Sequence, residues 1–194
     1  MKEHPIIFST DMVKAILEGR KTQTRRVIKP QPEYQDNTNI YWGNKWCFVN
    51  DIKDSMPQFC PYGQVGNRLV IKETWATENR YNHLKPSEVP RTAKIWYLAD
   101  EQYNPFLMGK VRSAMFMCYW MSRARPEITE VRVEKLRDII EEDIKKEGCP
   151  SIVCGVGHRL QWFKELWDSL NAKRGYSWES NPWVWVISFK MQEV

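Results

Sequence analysis

A chain of 194 residues with 29 Lys and Arg against 24 Asp and Glu carries a formal net charge of +5. That charge permits a polyanionic partner without demanding one, and the length suffices to bury a core without staples. The five cysteines (Cys47, Cys60, Cys118, Cys149 and Cys154) are odd in number and lack a two-residue spacing, which argues against a disulfide framework and against a zinc site. The opening MKEHPIIFST has no apolar leader core and no apolar run is long enough to span a bilayer. The expected setting is the cytoplasm, with no membrane partner, no metal and no cofactor.

Residues 5–8 read as a short apolar strand. A helix is expected over 11–18, capped by Ser9 or Thr10, with Met12, Val13, Ile16 and Leu17 on one face and Gly19 as its stop. A strand follows over 22–28, ended by Lys29-Pro30-Gln31-Pro32 because proline cannot continue a ladder. From Glu33 to Pro61 the chain is polar and aromatic and reads as a long loop holding a hairpin around Trp42–Trp46. Turn residues at 61–67 lead into a strand over 68–75, with Leu69, Ile71, Glu73 and Trp75 on one face. Residues 76–110 form a second insertion with a strand at 93–98, and the apolar stretch 113–120 is placed beside the strand ending at Trp75.

Alternation over 128–135 gives another strand, with Val131 and Val133 opposed to Arg132 and Glu134. A helix is expected over 136–147, stopped by Gly148, and an amphipathic helix over 158–170 with Leu160, Phe163, Leu166, Trp167 and Leu170 buried. The run 183–189 is apolar on both faces and belongs inside a sheet. Short mixed strands with helices at their ends make an α+β chain around a curved, partly closed barrel. Residues 1–194 read as one domain with insertions at about 33–60 and 76–110.

The chemistry concentrates just after Gly19, where Arg20, Lys21, Arg25 and Arg26 alternate with Thr22, Gln23 and Thr24. Taken alone, such a run reads as a solvated surface or a phosphate-binding patch. On a flat strand Lys21 and Thr24 would point to opposite faces, so they share a site only if the chain turns between Gly19 and the strand. A lysine crowded by Arg20, Arg25 and Arg26 should lose its proton more readily, which suits it to activate a hydroxyl. Glu147, at the negative end of a helix, should hold its proton more tightly, as a proton shuttle requires. Read alone, it equally points into water or pairs with Lys145 or Lys146.

The string Gly19-Arg20-Lys21-Thr22-Gln23-Thr24-Arg25 resembles the G-x-K-x-x-T-x-R signature of the ASCH domain family, within the PUA-like superfamily. Pro5-Ile6-Ile7-Phe8-Ser9, Arg26-Val27, Cys60-Pro61-Tyr62-Gly63-Gln64, Glu73-Thr74-Trp75, the block of Trp120, Ser122 and Arg123, and the 163–171 and 181–186 segments extend the likeness to ASCH proteins of phages and prophages. Departures occur at Leu69-Val70-Ile71-Lys72 and at Cys118, Tyr119 and Met121. The resemblance implies a PUA-like mixed β pseudo-barrel with flanking short helices. It also implies the lysine, threonine and glutamate of the ASCH amidohydrolases that deacetylate N4-acetylcytidine, here Lys21, Thr24 and Glu147.

On that basis Thr24 is the expected nucleophile, Lys21 its base and Glu147 the proton carrier. Arg20, Arg25, Arg26, Glu73, Trp75, Trp120 and Arg123 are expected on the substrate, with Arg25 or Arg26 steadying an oxyanion or phosphate. Trp75 suits a stacking platform as well as it suits core. The expected partner is a modified nucleoside or RNA. The alternative is a module that binds RNA or a modified base without chemistry, with a ribonuclease variant between the two.

Overall fold

The last strand explains the architecture. Trp183–Lys190 alternates large apolar side chains on both faces, and β-branched and aromatic residues of that kind suit a doubly covered strand. In the computed structural model, which describes residues 1–34, 39–42, 45–48, 52–101, 104, 106–153 and 155–191, this strand has a neighbour on each side. The elements are β1 (Glu3–Ile7), α1 (Thr10–Leu17), β2 (Gln23–Val27), β3 (Glu33–Tyr34), β4 (Asn39–Trp42), β5 (Lys45–Phe48), α2 (Ile52–Ser55), β6 (Arg68–Lys72), β7 (Trp75–Thr77), β8 (Ile95–Tyr97), β9 (Glu127–Lys135), α3 (Glu141–Lys146), α4 (Val156–Asn171) and β10 (Trp183–Lys190). Five strands make the main sheet in the order β1-β6-β9-β10-β2, with β1 and β6 parallel and the other pairs antiparallel.

The two-residue period of β10 sorts two cores. Trp183, Trp185, Ile187 and Phe189 join Ile6, Phe8, Leu69, Ile71, Ile128 and Val133 on one face. Val184 and Val186 join Leu136, Ile144, Phe163 and Trp167 on the other, under α3 and α4. Helix α1 sends Val13 and Ile16 into the first core, at 0% and 1% exposure; full burial of such a side chain is worth roughly 1.5–3 kcal/mol. The sheet curls until its edge strands approach: the Arg26 guanidinium on β2 donates to the Ile7 carbonyl on β1 at 2.7 Å. The chain is α+β, as expected, and this curled sheet is its barrel-like part.

The two stretches expected as insertions carry structure of their own. The first forms the β3-β4-β5 sheet, in which Trp42 pairs with Lys45, and α2, which delivers Ile52 to the first core. The second forms the β7-β8 ladder over a separate cluster of Trp75, Val89, Ala93, Met117 and Met121, so the stretch after 113 does pack beside Trp75. Three expectations are corrected. Strand 68–75 breaks after Lys72, because Glu73 and Thr74 carry the chain across to the β7-β8 ladder. The 136–147 segment is a short 3-10 turn followed by α3, separated where Ile139 turns extended to enter the second core. On α4, Leu160 and Leu170 are exposed while Phe163 and Trp167 are buried. Among the described residues no helix is long and apolar enough to cross a membrane.

Candidate functional site

Gly19 takes φ +74°, a conformation glycine adopts without strain, and ends α1 with its N–H bonded to Ile16. The turn carries Lys21 back beneath the helix, its N–H bonded to Ala15, and into a backbone bridge with Glu147. Strand β2 starts only at Gln23, so Lys21 escapes the alternation that would have opposed it to Thr24. Within β2 the pairing with β10 sets Thr24 opposite Ile187 and Arg26 opposite Trp185, on the first core's face, and Arg25 opposite Val186, on the other. Because β2 is an edge strand, one cavity can wrap around it and reach both faces.

That cavity, of about 750 Å³, lies along the seam between β1 and β2 and against α4. Lys21, Thr24, Arg25, Arg26 and Glu147 all line it, and all but Arg26 are at most 5% exposed. The Lys21 amine donates to the Glu147 carboxylate at 2.7 Å and to the Glu147 carbonyl at 2.8 Å. Burial lowers the Lys21 pKa from its ordinary 10.5; the Glu147 carboxylate opposes this, and Arg26 and Arg25 reinforce it. Desolvation is therefore the main cause, ahead of the like-charge crowding expected from the sequence. Arg20 has no part in it, since its side chain turns outward to Glu18 and the Gly148 carbonyl.

Arg25 is the hub beneath the site. Its guanidinium meets Glu134 at 2.5 Å, Asp143 at 2.7 Å and Glu147 at 3.1 Å, and also donates to the Gln23 side-chain oxygen at 2.8 Å. Arg132 closes the network from outside through Glu134 and Asp143. Glu147 thus sits between two cations, an environment that its place at the end of the six-residue α3 does not reveal. Thr24, by contrast, makes no side-chain hydrogen bond among the described residues, so its hydroxyl is available to whatever enters the cavity.

Gly148 explains how closely Lys21 is held. It has φ +95°, and a Cβ there would lie 3.0 Å from the Lys21 Cβ and 3.2 Å from the Ala15 Cβ. Gly148→Ala is expected to cost about 2 kcal/mol in chemical denaturation, combining left-handed strain with overpacking. The same substitution should displace Lys21 and lower activity beyond what the stability loss explains.

The remaining residues expected on the substrate lie elsewhere. Glu73 is buried in a two-pronged pair with Arg123 at 3.0 and 3.1 Å, and Arg123 also binds Asp100. Burial raises the Glu73 pKa and Arg123 pulls against it. Trp75 is fully buried in the separate cluster under the β7-β8 ladder, where Trp120 packs beside it. None of these four lines the cavity. The break after Lys72 is the reason, since it swings Glu73 and Trp75 away from the main sheet.

The aromatic walls come instead from Phe8, Trp42, Phe59, Tyr62, Phe163, Trp167 and Trp185. Trp42 stands edge-on to Trp185 with centroids 6.1 Å apart and packs on Phe59 at 5.9 Å. Sequence patterning puts Trp185 in a core strand and Trp42 in a loop hairpin, and nothing local shows that they meet. Lys29 and Arg174, which carry no motif, and Asn171, which ends the 163–171 block, also line the cavity. Among the described residues no group of three His, Cys, Asp or Glu gathers to hold a metal; Cys154 lies outside them.

Compared with solved structures, the chain is similar to the ASCH domain from Lactobacillus crispatus JV V101, known from a high-resolution crystal structure. The TM-score is 0.44 at 12% identity, over 98% of this chain and 79% of that one. No family model and no curated protein matches the chain.

Proposed function

We propose that this chain is a hydrolase that removes the acyl group from N4-acetylcytidine or a closely related N-acylated nucleoside. The observation that carries the reading is the meeting of Lys21, Thr24 and Glu147 on one aromatic-walled cavity. These are also the three residues that match the ASCH amidohydrolase pattern in the sequence. The base stacks among the rings, a contact worth ~1–3 kcal/mol where it has been probed.

The Thr24 oxygen adds to the acyl carbonyl carbon while its proton passes to the neutral Lys21 amine. The amide C–N bond then breaks, and the exocyclic nitrogen regains a proton relayed from Lys21 through Glu147. Cytidine leaves and the acyl group remains on Thr24 as an ester. Water adds to that ester, Lys21 again takes the proton, acetate departs and the hydroxyl is restored. Arg25 is tied to three carboxylates and serves to hold Glu147 in place.

One observation favours a second reading, a module that binds the base without chemistry. The Lys21 amine is bonded twice to Glu147 and makes no hydrogen bond to Thr24 among the described residues. The deciding measurement is chromatographic release of cytidine from N4-acetylcytidine by the purified chain, from neutral to alkaline pH. Turnover should rise along a basic limb centred below 10.5, because Lys21 acts unprotonated and its pKa is lowered. Saturable binding with no turnover above background at any pH would overturn the hydrolase and leave the binding module.

A further inference from the structure

We propose that Arg26, Lys29 and Arg174 form a phosphate subsite at the rim of the cavity, so that the ligand is a nucleotide rather than a bare nucleoside. The identity of the ligand rests on the base-binding reading above; the anion subsite rests on the charges alone. Among the described residues, five cations line the cavity against a single carboxylate, Glu147, and that carboxylate is bound by Lys21 and Arg25. Arg26, Lys29 and Arg174 have no carboxylate partner among the described residues. They come from three places in the chain: β2, the turn that follows it, and the turn at the end of α4.

Arg26 is the strongest element of the site. It stacks on Phe8 with its guanidinium carbon 4.8 Å from the ring and spends one nitrogen on the Ile7 carbonyl. Its Nε is buried and has no hydrogen-bond partner among the described residues. A buried donor of that kind is costly to leave unmet, so the site favours a ligand that accepts from it. Arg174 is near enough to add to the burial that lowers the Arg26 pKa. The Lys29 amine lies 5.0 Å over the ring of Tyr176, two residues beyond Arg174. A phosphate supplies the missing acceptor, takes guanidinium donors in pairs and relieves the repulsion between Arg26 and Arg174. Lys21, Thr24 and Glu147 are buried whereas Lys29 and Arg174 are exposed on the same cavity, an order that matches a base inside and a phosphate outside.

The test titrates the full chain, by its tryptophan fluorescence, with cytidine, cytidine 5′-monophosphate and inorganic pyrophosphate. The monophosphate is expected to bind about tenfold more tightly than the nucleoside at low salt, with the advantage shrinking as salt rises. Arg174→Gln, at an exposed position unable to threaten the fold, should reduce the affinity ratio severalfold, and Lys29→Gln should do the same. Equal affinities for nucleoside and monophosphate would overturn the phosphate subsite and leave the base pocket standing. If neither nucleoside nor nucleotide binds, pyrophosphate decides: saturable binding weakened by Arg174→Gln upholds the anion subsite without the base reading, and no response overturns both.

Discussion

Thr24→Ala is expected to lower kcat on N4-acetylcytidine by about 10³-fold or more, the scale seen when a nucleophile is removed, with little change in melting temperature. The hydroxyl it deletes makes no hydrogen bond among the described residues, so the fold loses little. Lys21 requires a different substitution. Lys21→Ala would leave the Glu147 carboxylate with only Arg25 in a buried place, mixing a folding defect with a catalytic one. Lys21→Arg keeps the cation but cannot deprotonate at any accessible pH. It should therefore fold, bind substrate and lose about 10²–10⁴ in kcat, the range expected for a positioned base, together with the basic limb of the pH profile. A binding module behaves otherwise, with affinity indifferent to Thr24→Val. Retention of near-normal turnover by either Thr24→Ala or Lys21→Arg would sink the mechanism.

The largest expected effect on stability is at Arg25. Arg25→Leu leaves Glu134, Asp143 and Glu147 around an apolar side chain, all three less than 9% exposed. Removing one partner from such a network costs about 3–5 kcal/mol. Arg132 and Lys21 still reach the outer carboxylates, which puts the expectation at the lower end of that range. Arg25→Lys should recover only part of the loss, because a single ammonium cannot meet three carboxylates and Gln23 at once. Urea denaturation of the three proteins measures this directly, and a loss under about 1 kcal/mol for Arg25→Leu would show that the hub is ornamental.

The same network predicts sensitivity to acid. Burial raises the Asp143 pKa, but Arg25 and Arg132 outweigh it, and the net value lies below the ordinary 3.8. A carboxyl depressed on folding contributes its stability in full above its unfolded pKa and loses it as pH falls toward the folded one. Wild type should thus weaken below about pH 4, and Arg25→Leu, having less to lose at Asp143, should show a shallower slope there.

The sequence by itself determined the elements whose pattern is written in consecutive residues. The period of β10, the amphipathic α1 with its glycine stop, the alternation of β9 and the basic run after Gly19 all follow from neighbours along the chain, and so does the α+β class. Even the condition for Lys21 to share a site with Thr24, a turn before the strand, was legible, because side-chain direction in a strand is fixed by spacing.

Only the tertiary structure decided what surrounds those residues. Glu147 meets Arg25 across 122 positions of sequence and Trp42 of the small β3-β4-β5 sheet meets Trp185 of the main sheet. The break after Lys72 removed Glu73 and Trp75 from the cavity, although their spacing had suited them to it. Lys29 and Arg174 belong to no motif and became part of the cavity through the closure of the seam. Local pattern specifies which face of an element is apolar, whereas burial of a charge, and hence its partners and its proton affinity, depends on which distant faces are brought against it.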